Sequence, residues 1–425
     1  MAEDPRPRRW SPPRALRERD FALLWSGQTV SLLGDGVYTI ALALETLRVD
    51  SRPTGLSFVL AARLVPTVLL LLVGGVVVDR VPRRLAMLAS DTVRGASAAA
   101  LALLTGLGVI TLPELVVLSL VFGVADAFFY PASTAIVPEL LPEDLLVQGS
   151  ALSRASQTTA QSLIGPALGG VLVGALGNAW GFGADAASFA VSAGCLLLMT
   201  SRLAPAMSSG RRQILAEVRE GLGYCFRHPW LWATLLSAAV ANFAAFSPLA
   251  LLIPLLVRHV LHQGGVALGV VMACGGLGGV VGSVLIGRLG APRRRITWMF
   301  LSWGAAGAGA VVLALSPDVW VAGAASFVIF GLLLYGNALW TPLVQNLVPR
   351  DLMGRVSSVD WLISLSLSPV GVLMAGGVSG VIGVRLTMLI GAGAGTLMAA
   401  TLLIPGVRDP ERGAGPFQRS RASGD

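Results

Sequence analysis

The sequence predicts an all-α polytopic membrane protein, with twelve transmembrane helices in two pseudo-symmetric six-helix bundles. Three observations carry this expectation. Apolar runs recur along the whole chain, each of the roughly 18 residues or more that cross a hydrocarbon core of about 30 Å as a helix. Arginines crowd into alternate connections between those runs. Markers of the first half also return in the second, in the same order. The composition agrees: 54% of the 425 residues are hydrophobic and only 13% charged, against about 25% charged in soluble domains. Lipid offers no partners to free backbone N–H and C=O groups, so the crossing segments must be helices.

The elements follow in order. Spans are expected at 21–46, 55–78, 85–108, 114–137, 147–176, 179–200, 230–257, 264–289, 295–315, 318–346, 354–380 and 383–405. Gly380 and Gly383 are what divide the last apolar run into spans 11 and 12. Residues 1–20 are basic, Pro-rich and polar, and read as a tail on the inner side with no cleavable signal. Residues 21–200 form the first six-helix bundle, 201–229 a linker, 230–405 the second bundle and 406–425 a second tail. In the linker, Ile214, Val218 and Leu222 recur at helical spacing with Glu217, Arg219 and Glu220 elsewhere on the wheel, as in an amphipathic helix on a membrane surface.

The basic residues set the orientation. All 31 are arginine. With the N-terminus inside, 24 fall in inner segments, and only Arg48, Arg52, Arg258 and Arg385 fall outside. That is a strong positive-inside bias, and it places both termini in the cytoplasm. The formal charge of +8 is therefore a topology signal rather than a nucleic-acid footprint. Cys195, Cys225 and Cys274 stand apart, so neither a disulfide framework nor a metal site is expected.

The two halves repeat each other. Phe122-Gly123 precedes Pro142-Glu-Asp-Leu145 by about one span, as Phe330-Gly331 precedes Pro349-Arg-Asp-Leu352. Gly169-Gly170 follow Pro142 at the same spacing as Gly376-Gly377 follow Pro349. Parallel six-span repeats are an arrangement of secondary transporters.

The loop "GVVVDRVPRR", Gly75 to Arg84, closes span 2 with one acid and three arginines. It resembles the span 2–3 signature of the major facilitator superfamily, Gly-x-x-x-Asp-Arg-x-Gly-Arg-Arg, with Pro82 in place of the second glycine. Other stretches resemble its twelve-span drug:proton antiporter branch, which includes macrolide-efflux and enterobactin-exporter-like proteins. They are "RDFALLWSGQTVSLLGD" (Arg19–Asp35), "FFYPASTAIVPELLP" (Phe128–Pro142), "GPALGG" (Gly165–Gly170), "DAASF" (Asp185–Phe189) and "EGLGYCFRHPWL" (Glu220–Leu231). The resemblance implies the major facilitator fold, with spans 1, 4, 7 and 10 around a central cavity.

The resemblance also implies a cytoplasmic gate. Asp79, with Arg80, would face the N-terminus of span 11, where the helix dipole favours a carboxylate and Arg355 is a near cation. Arg83 or Arg84 would reach Glu139. Such contacts would form only while the cytoplasmic side is closed. Gly165, Pro166, Gly169 and Gly170 match the tail of a span-5 antiporter signature and suit close helix packing; the upstream glycines of that signature are Leu152 and Gln161 here.

Charges inside the membrane cost about 2.5–3.5 kcal/mol each on insertion scales and usually face a wet cavity or a partner. Asp126 in span 4 and Asp35 in span 1 are the proton-coupling candidates, in that order, since Gly34 and Gly36 also suit a kink or cap at Asp35. Arg154 and Arg63 are possible counter-charges. Asp91 and Arg94, three residues apart, suit a local pair, and Asp185 a structural role. Asp360 fits either the gate or the cavity. Phe128, Tyr130, Asn242, Phe246, Tyr335, Asn337 and Trp340 are the cavity candidates, suited to an amphipathic or aromatic cargo.

The implied function is a proton-coupled exporter of a hydrophobic small molecule. Export of an endogenous siderophore or lysolipid, and uncoupled facilitation, are the alternatives within transport. A membrane enzyme is disfavoured by the absence of a Gly-x4-Gly-Lys-Ser/Thr loop, a His-Glu-x-x-His pair and a Gly-x-Ser-x-Gly elbow. The expected partners are a small-molecule substrate, protons and membrane lipid, with no nucleic acid and no cofactor, for a monomer in a bacterial inner membrane.

Overall fold

A computed structural model describes residues 13–78, 81–200, 222–290, 292–349 and 352–408. The described residues form helices and turns, with no strand among them. Twelve long helices follow the expected order: α1 Arg19–Val49, α2 Pro53–Val78, α3 Arg83–Gly106, α4 Leu112–Ala135, α5 Glu143–Leu176 and α6 Asn178–Leu198 in the first half. The second half holds α7 Pro229–Val260, α8 Gly265–Leu289, α9 Arg295–Leu315 and α10 Val319–Leu347, then α11, which runs as Met353–Ser366 and Ser368–Ile382, and α12 Val384–Leu403. Eleven of these hold an apolar stretch long enough to read as a membrane span by composition; α3, which carries Arg83, Arg84, Asp91 and Arg94, does not. Residues 201–221, which hold most of the linker and its amphipathic pattern, lie outside the described residues.

The turns have local causes. Gly177 between α5 and α6 (φ 94°) and Gly383 between α11 and α12 (φ 87°) are left-handed turns that glycine enters without a Cβ penalty. Thr111 and Glu114 form a reciprocal capping box at the start of α4. Asp318 caps α10 by accepting from the N–H groups of Trp320 and Val321, both at 2.9 Å. The starts of α1 and α7 and the end of α12 share one end of the bundle with the linker; we name it the linker end. The α1–α2, α5–α6, α7–α8 and α11–α12 turns lie at the opposite end.

Glycines let the helices approach, and they explain the repeated markers. A Cβ on Gly123 would stand 2.1 Å from the Arg63 carbonyl oxygen, so α4 presses on α2 at that point. Its counterpart Gly331 brings α10 against Gly278 of α8, 3.1 Å from that carbonyl oxygen. Gly170 and Gly376 each lie seven residues before the turn glycines Gly177 and Gly383. Counted from those turns they are the true counterparts, one residue off the register counted from Pro142 and Pro349. The extra residue of α5 sits where the helix widens into π-type turns over Gln157–Ile164.

The two halves touch through this pair. A Cβ on Gly170 would lie 2.8 Å from the Cα of Gly269 in α8, and one on Gly376 would lie 2.2 Å from the Ser57 hydroxyl in α2. Gly276 of α8 continues the first contact toward the membrane centre, against Ser162 and Leu163. These crossings run from the opposite end to about the membrane middle.

Candidate functional site: a shared charge cluster in the first half

The centre of the first half is charged. Asp35 from α1, Arg63 from α2, Asp91 and Arg94 from α3, and Asp126 from α4 meet there. The four apart from Arg63 are at most 4% exposed, and the Arg63 side chain is 18% exposed. Arg63 donates through Nε to Asp126 Oδ2 at 3.0 Å and through Nη2 to Asp35 Oδ1 at 3.4 Å. Arg94 donates through Nη1 to Asp126 Oδ1 at 3.3 Å and through Nη2 to Asp91 Oδ1. Ser192 of α6 donates to the other Asp91 oxygen at 2.7 Å. Both guanidinia also lie over rings: Arg63 4.3 Å from the Phe122 centroid, Arg94 3.9 Å from that of Phe129 and 4.5 Å from that of Phe189. Aromatic faces supplement the carboxylates in holding buried cations.

A fourth acid, Asp185 of α6, is fully buried and within electrostatic reach of Asp35, Arg63 and Arg94. Its Oδ1 lies 3.4 Å from the Ser188 hydroxyl, and its Oδ2 has no hydrogen-bond partner. Gly34 permits this approach, since a Cβ there would be 2.6 Å from Asp185 Oδ1. Gly34 and Gly36 thus pack α1 against α6 and α5, and α1 runs unbroken through both. They are contacts rather than a kink. Four carboxyls therefore share two guanidinia, and their shares are unequal. Asp126 is held by both arginines, whereas Asp35 has one long contact.

Arg154 does not join the cluster. It is exposed on α5, and the cations beside Asp35 and Asp126 are Arg63 and Arg94. Arg94 bonds Asp91 locally, as its spacing predicts, and reaches across to α4 as well, which the spacing does not predict. Tyr130 is half-buried and within electrostatic reach of Asp126 and Asp35, and Phe128 is half-buried beside it.

At the linker end, Arg83 pairs with Glu139 and donates to the Ala135 carbonyl at 2.9 Å. Arg84 instead donates to the Leu197 carbonyl at 2.9 Å. Both contacts stay inside the first half, so neither is a bridge across the seam. The Arg83–Glu139 pair is also formed while the opposite end is joined. Asp79 and Arg80 lie outside the described residues; Arg355 is half-buried near the start of α11.

Gly165 meets Gly36 and the Leu33 carbonyl of α1, Pro166 lies against Gly36, and Gly169 meets Val37. Gly170 and the Pro166 carbonyl of that run meet Gly269 of the other half. In the second half, Asn242 donates to the Ser364 carbonyl at 2.9 Å, and Trp340 donates through Nε1 to Asp360 Oδ2 at 2.8 Å. Phe246 and Tyr335 are half-buried against the apolar core. Asn337 is exposed and accepts from Trp303 of α9 at 3.1 Å, which turns it toward a peripheral helix and away from the seam. Sequence reasoning passed over Glu45. It is fully buried, paired with Arg48 at 2.6 Å and bonded by Asn178 at 2.6 Å, and it ties the end of α1 to α6.

Two six-helix halves meeting at a seam, with charge sealed into one of them, define a major facilitator transporter. Residues 9–416 match the family model described as transmembrane secretion effector, and the chain belongs to that family. It is similar to macrolide efflux protein A of Streptococcus pyogenes, 24% identical over 90% of this chain and 94% of that one. It is also similar to the multidrug efflux pump Tap of Mycolicibacterium fortuitum, 26% identical over 87% and 90% respectively. Among solved structures it resembles a bacterial homologue of the human lysosomal transporter Spinster in an inward-facing, occupied conformation. That match has a TM-score of 0.72 at 14% identity and covers 96% of this chain and all of the other. The chain is a multi-pass membrane transporter with efflux-pump relatives, and not an enzyme.

Proposed function

We propose that the chain exports a hydrophobic or amphipathic small molecule in exchange for protons, by alternating access at the seam, across a bacterial inner membrane with both termini in the cytoplasm. The observation that carries the coupling is the charge count of the cluster. With every group ionised, Asp35, Asp91, Asp126 and Asp185 would leave two uncompensated negative charges deep in the membrane. Unpaired charge there is expensive, and binding a proton is the inexpensive remedy. Asp35 is the acid whose single long contact is most readily given up, so it takes precedence over Asp126 as the carrier. Arg63 touches both acids. When a proton neutralises one, the guanidinium is free to turn wholly to the other, which gives α1, α2 and α4 two discrete arrangements for the cycle to alternate between. The seam contacts toward the opposite end support a state open to the linker end, which the arginine distribution places in the cytoplasm.

The test is a panel of toxic amphipathic compounds on a pump-depleted strain expressing the chain. Resistance to some members should rise, and a protonophore should remove the gain. Unchanged susceptibility across the panel, or resistance indifferent to protonophore, would overturn export or coupling respectively.

A further inference from the structure

The buried acids described in the first half pair with an arginine or are sealed; α11 of the second half holds a half-buried acid that does neither. Asp360 of α11 is half-buried and forms no ion pair among the described residues. Its carboxylate is nevertheless fixed in place. Trp340 of α10 donates to Oδ2 at 2.8 Å and Ser364 donates to Oδ1 at 3.0 Å, so each oxygen is oriented and keeps a free lone pair. Asn242 of α7 pins the Ser364 carbonyl at 2.9 Å, joining a third helix to the arrangement. Trp230 of α7 stands beside Trp340, ring centroids 6.1 Å apart. The acid and the indole of Trp340 lie at one depth: each is seven residues from the linker end of its helix, or about 10 Å at 1.5 Å per residue.

We propose that Asp360, with Trp340 beside it, recognises the protonated amine or quaternary ammonium of an amphipathic cargo on the linker side of the seam. The inference rests on the export reading above and names the class of cargo. A carboxylate already held by two donors and lacking a cation among the described residues is complementary to a positive charge that arrives from outside the chain. The half-buried Trp340 indole adds cation–π attraction, strongest for tryptophan and for desolvated sites. The place suits capture as well, because α7, α10 and α11 meet here on the side away from the described seam contacts. The first-half cluster is unsuited to the task, since its acids are already engaged by Arg63 and Arg94 or sealed from the seam.

The test uses the purified full-length protein and two probes of nearly the same shape and opposite charge, tetraphenylphosphonium and tetraphenylborate. The wild type should bind the phosphonium more tightly. Asp360→Asn should weaken phosphonium binding about tenfold, the effect of removing one charged partner, and leave borate binding no weaker. Asp360→Glu should retain the preference, and Trp340→Phe should weaken the phosphonium a few-fold through the lost indole. Melting profiles verify that the variants fold. If Asp360→Asn does not fold, the wild-type preference and the Trp340→Phe response decide the matter. A wild type that binds phosphonium no better than borate, or an Asp360→Asn protein with undiminished phosphonium affinity, overturns the site. Binding is read without any gradient, so a failure of the export reading would show separately, as absent gradient-driven transport by the same preparation.

Discussion

Gly276→Ala places a methyl group where two backbones cross the seam. Its Cβ would lie 2.0 Å from the Ser162 carbonyl oxygen, 2.4 Å from the carbonyl carbon and 2.8 Å from the Leu163 Cα. All three are backbone atoms, so no rotamer relieves the overlap. Ordinary contact begins at 3.4 Å, so α5 and α8 must part by about 1.4 Å. Overpacking of this kind costs about 1–3 kcal/mol. The cost falls only on the state that makes the contact, so the alternating-access equilibrium should move away from that state by about 5- to 150-fold. Gly278→Ala is the matched control. Its Cβ would lie just as close, 2.0 Å from the Phe327 carbonyl oxygen, but between α8 and α10 within one half. It should lower Tm and leave the equilibrium in place. The assay is a pair of spin labels at Arg52 and Val381, both exposed at the opposite end, in a background lacking Cys195, Cys225 and Cys274. Gly276→Ala should lengthen the inter-label distances. Unchanged distances with a Tm loss like that of Gly278→Ala would refute the seam reasoning.

Arg94→Leu should destabilise the fold by about 3–5 kcal/mol, because it strands the buried Asp91 carboxylate and leaves Asp126 to Arg63 alone. Arg94→Lys should rescue it only in part, since Asp91 and Asp126 are held by different nitrogens of one guanidinium; an unchanged melt for Arg94→Leu would remove the cluster's structural role. Asp79→Asn should impair transport with insertion preserved, and full activity would reduce the span 2–3 loop to a topology signal. A reporter fused after Pro405 should be active in the cytoplasm; activity only on the far side would overturn the orientation and the even span count together.

The helices were legible because each needs only an apolar run and a stop. Of Gly380 and Gly383, which separated the last two spans in the sequence, Gly383 is the left-handed turn between α11 and α12, and Gly380 stays inside α11. The repeated Phe-Gly pairs were legible as markers, and the structure supplies their cause in the α2–α4 and α8–α10 crossings. Partners across helices were not legible. Arg154 has the right depth and the wrong face, and an apolar sequence around a charge does not say which face turns inward. Arg94 has an obvious local partner in Asp91, which hides its second bond to Asp126. Asp185 read only as structural, and Gly34, which lets its carboxyl reach the centre, gives no sign of that contact in the sequence. The register of α5 escaped counting because a widened turn absorbs one residue without leaving a trace in composition.

The central claim is that protons drive the cycle through Asp35 and its shared arginine. It is tested most directly by purified protein in liposomes with an imposed pH gradient, comparing wild type, Asp35→Asn, Asp126→Asn and the double variant. Asparagine imitates a permanently protonated carboxyl of almost the same size. Asp35→Asn should abolish accumulation against a substrate gradient while passive exchange between the two faces remains measurable. Gradient-driven export at the wild-type rate by the Asp35→Asn, Asp126→Asn double variant would contradict the account and leave both acids structural.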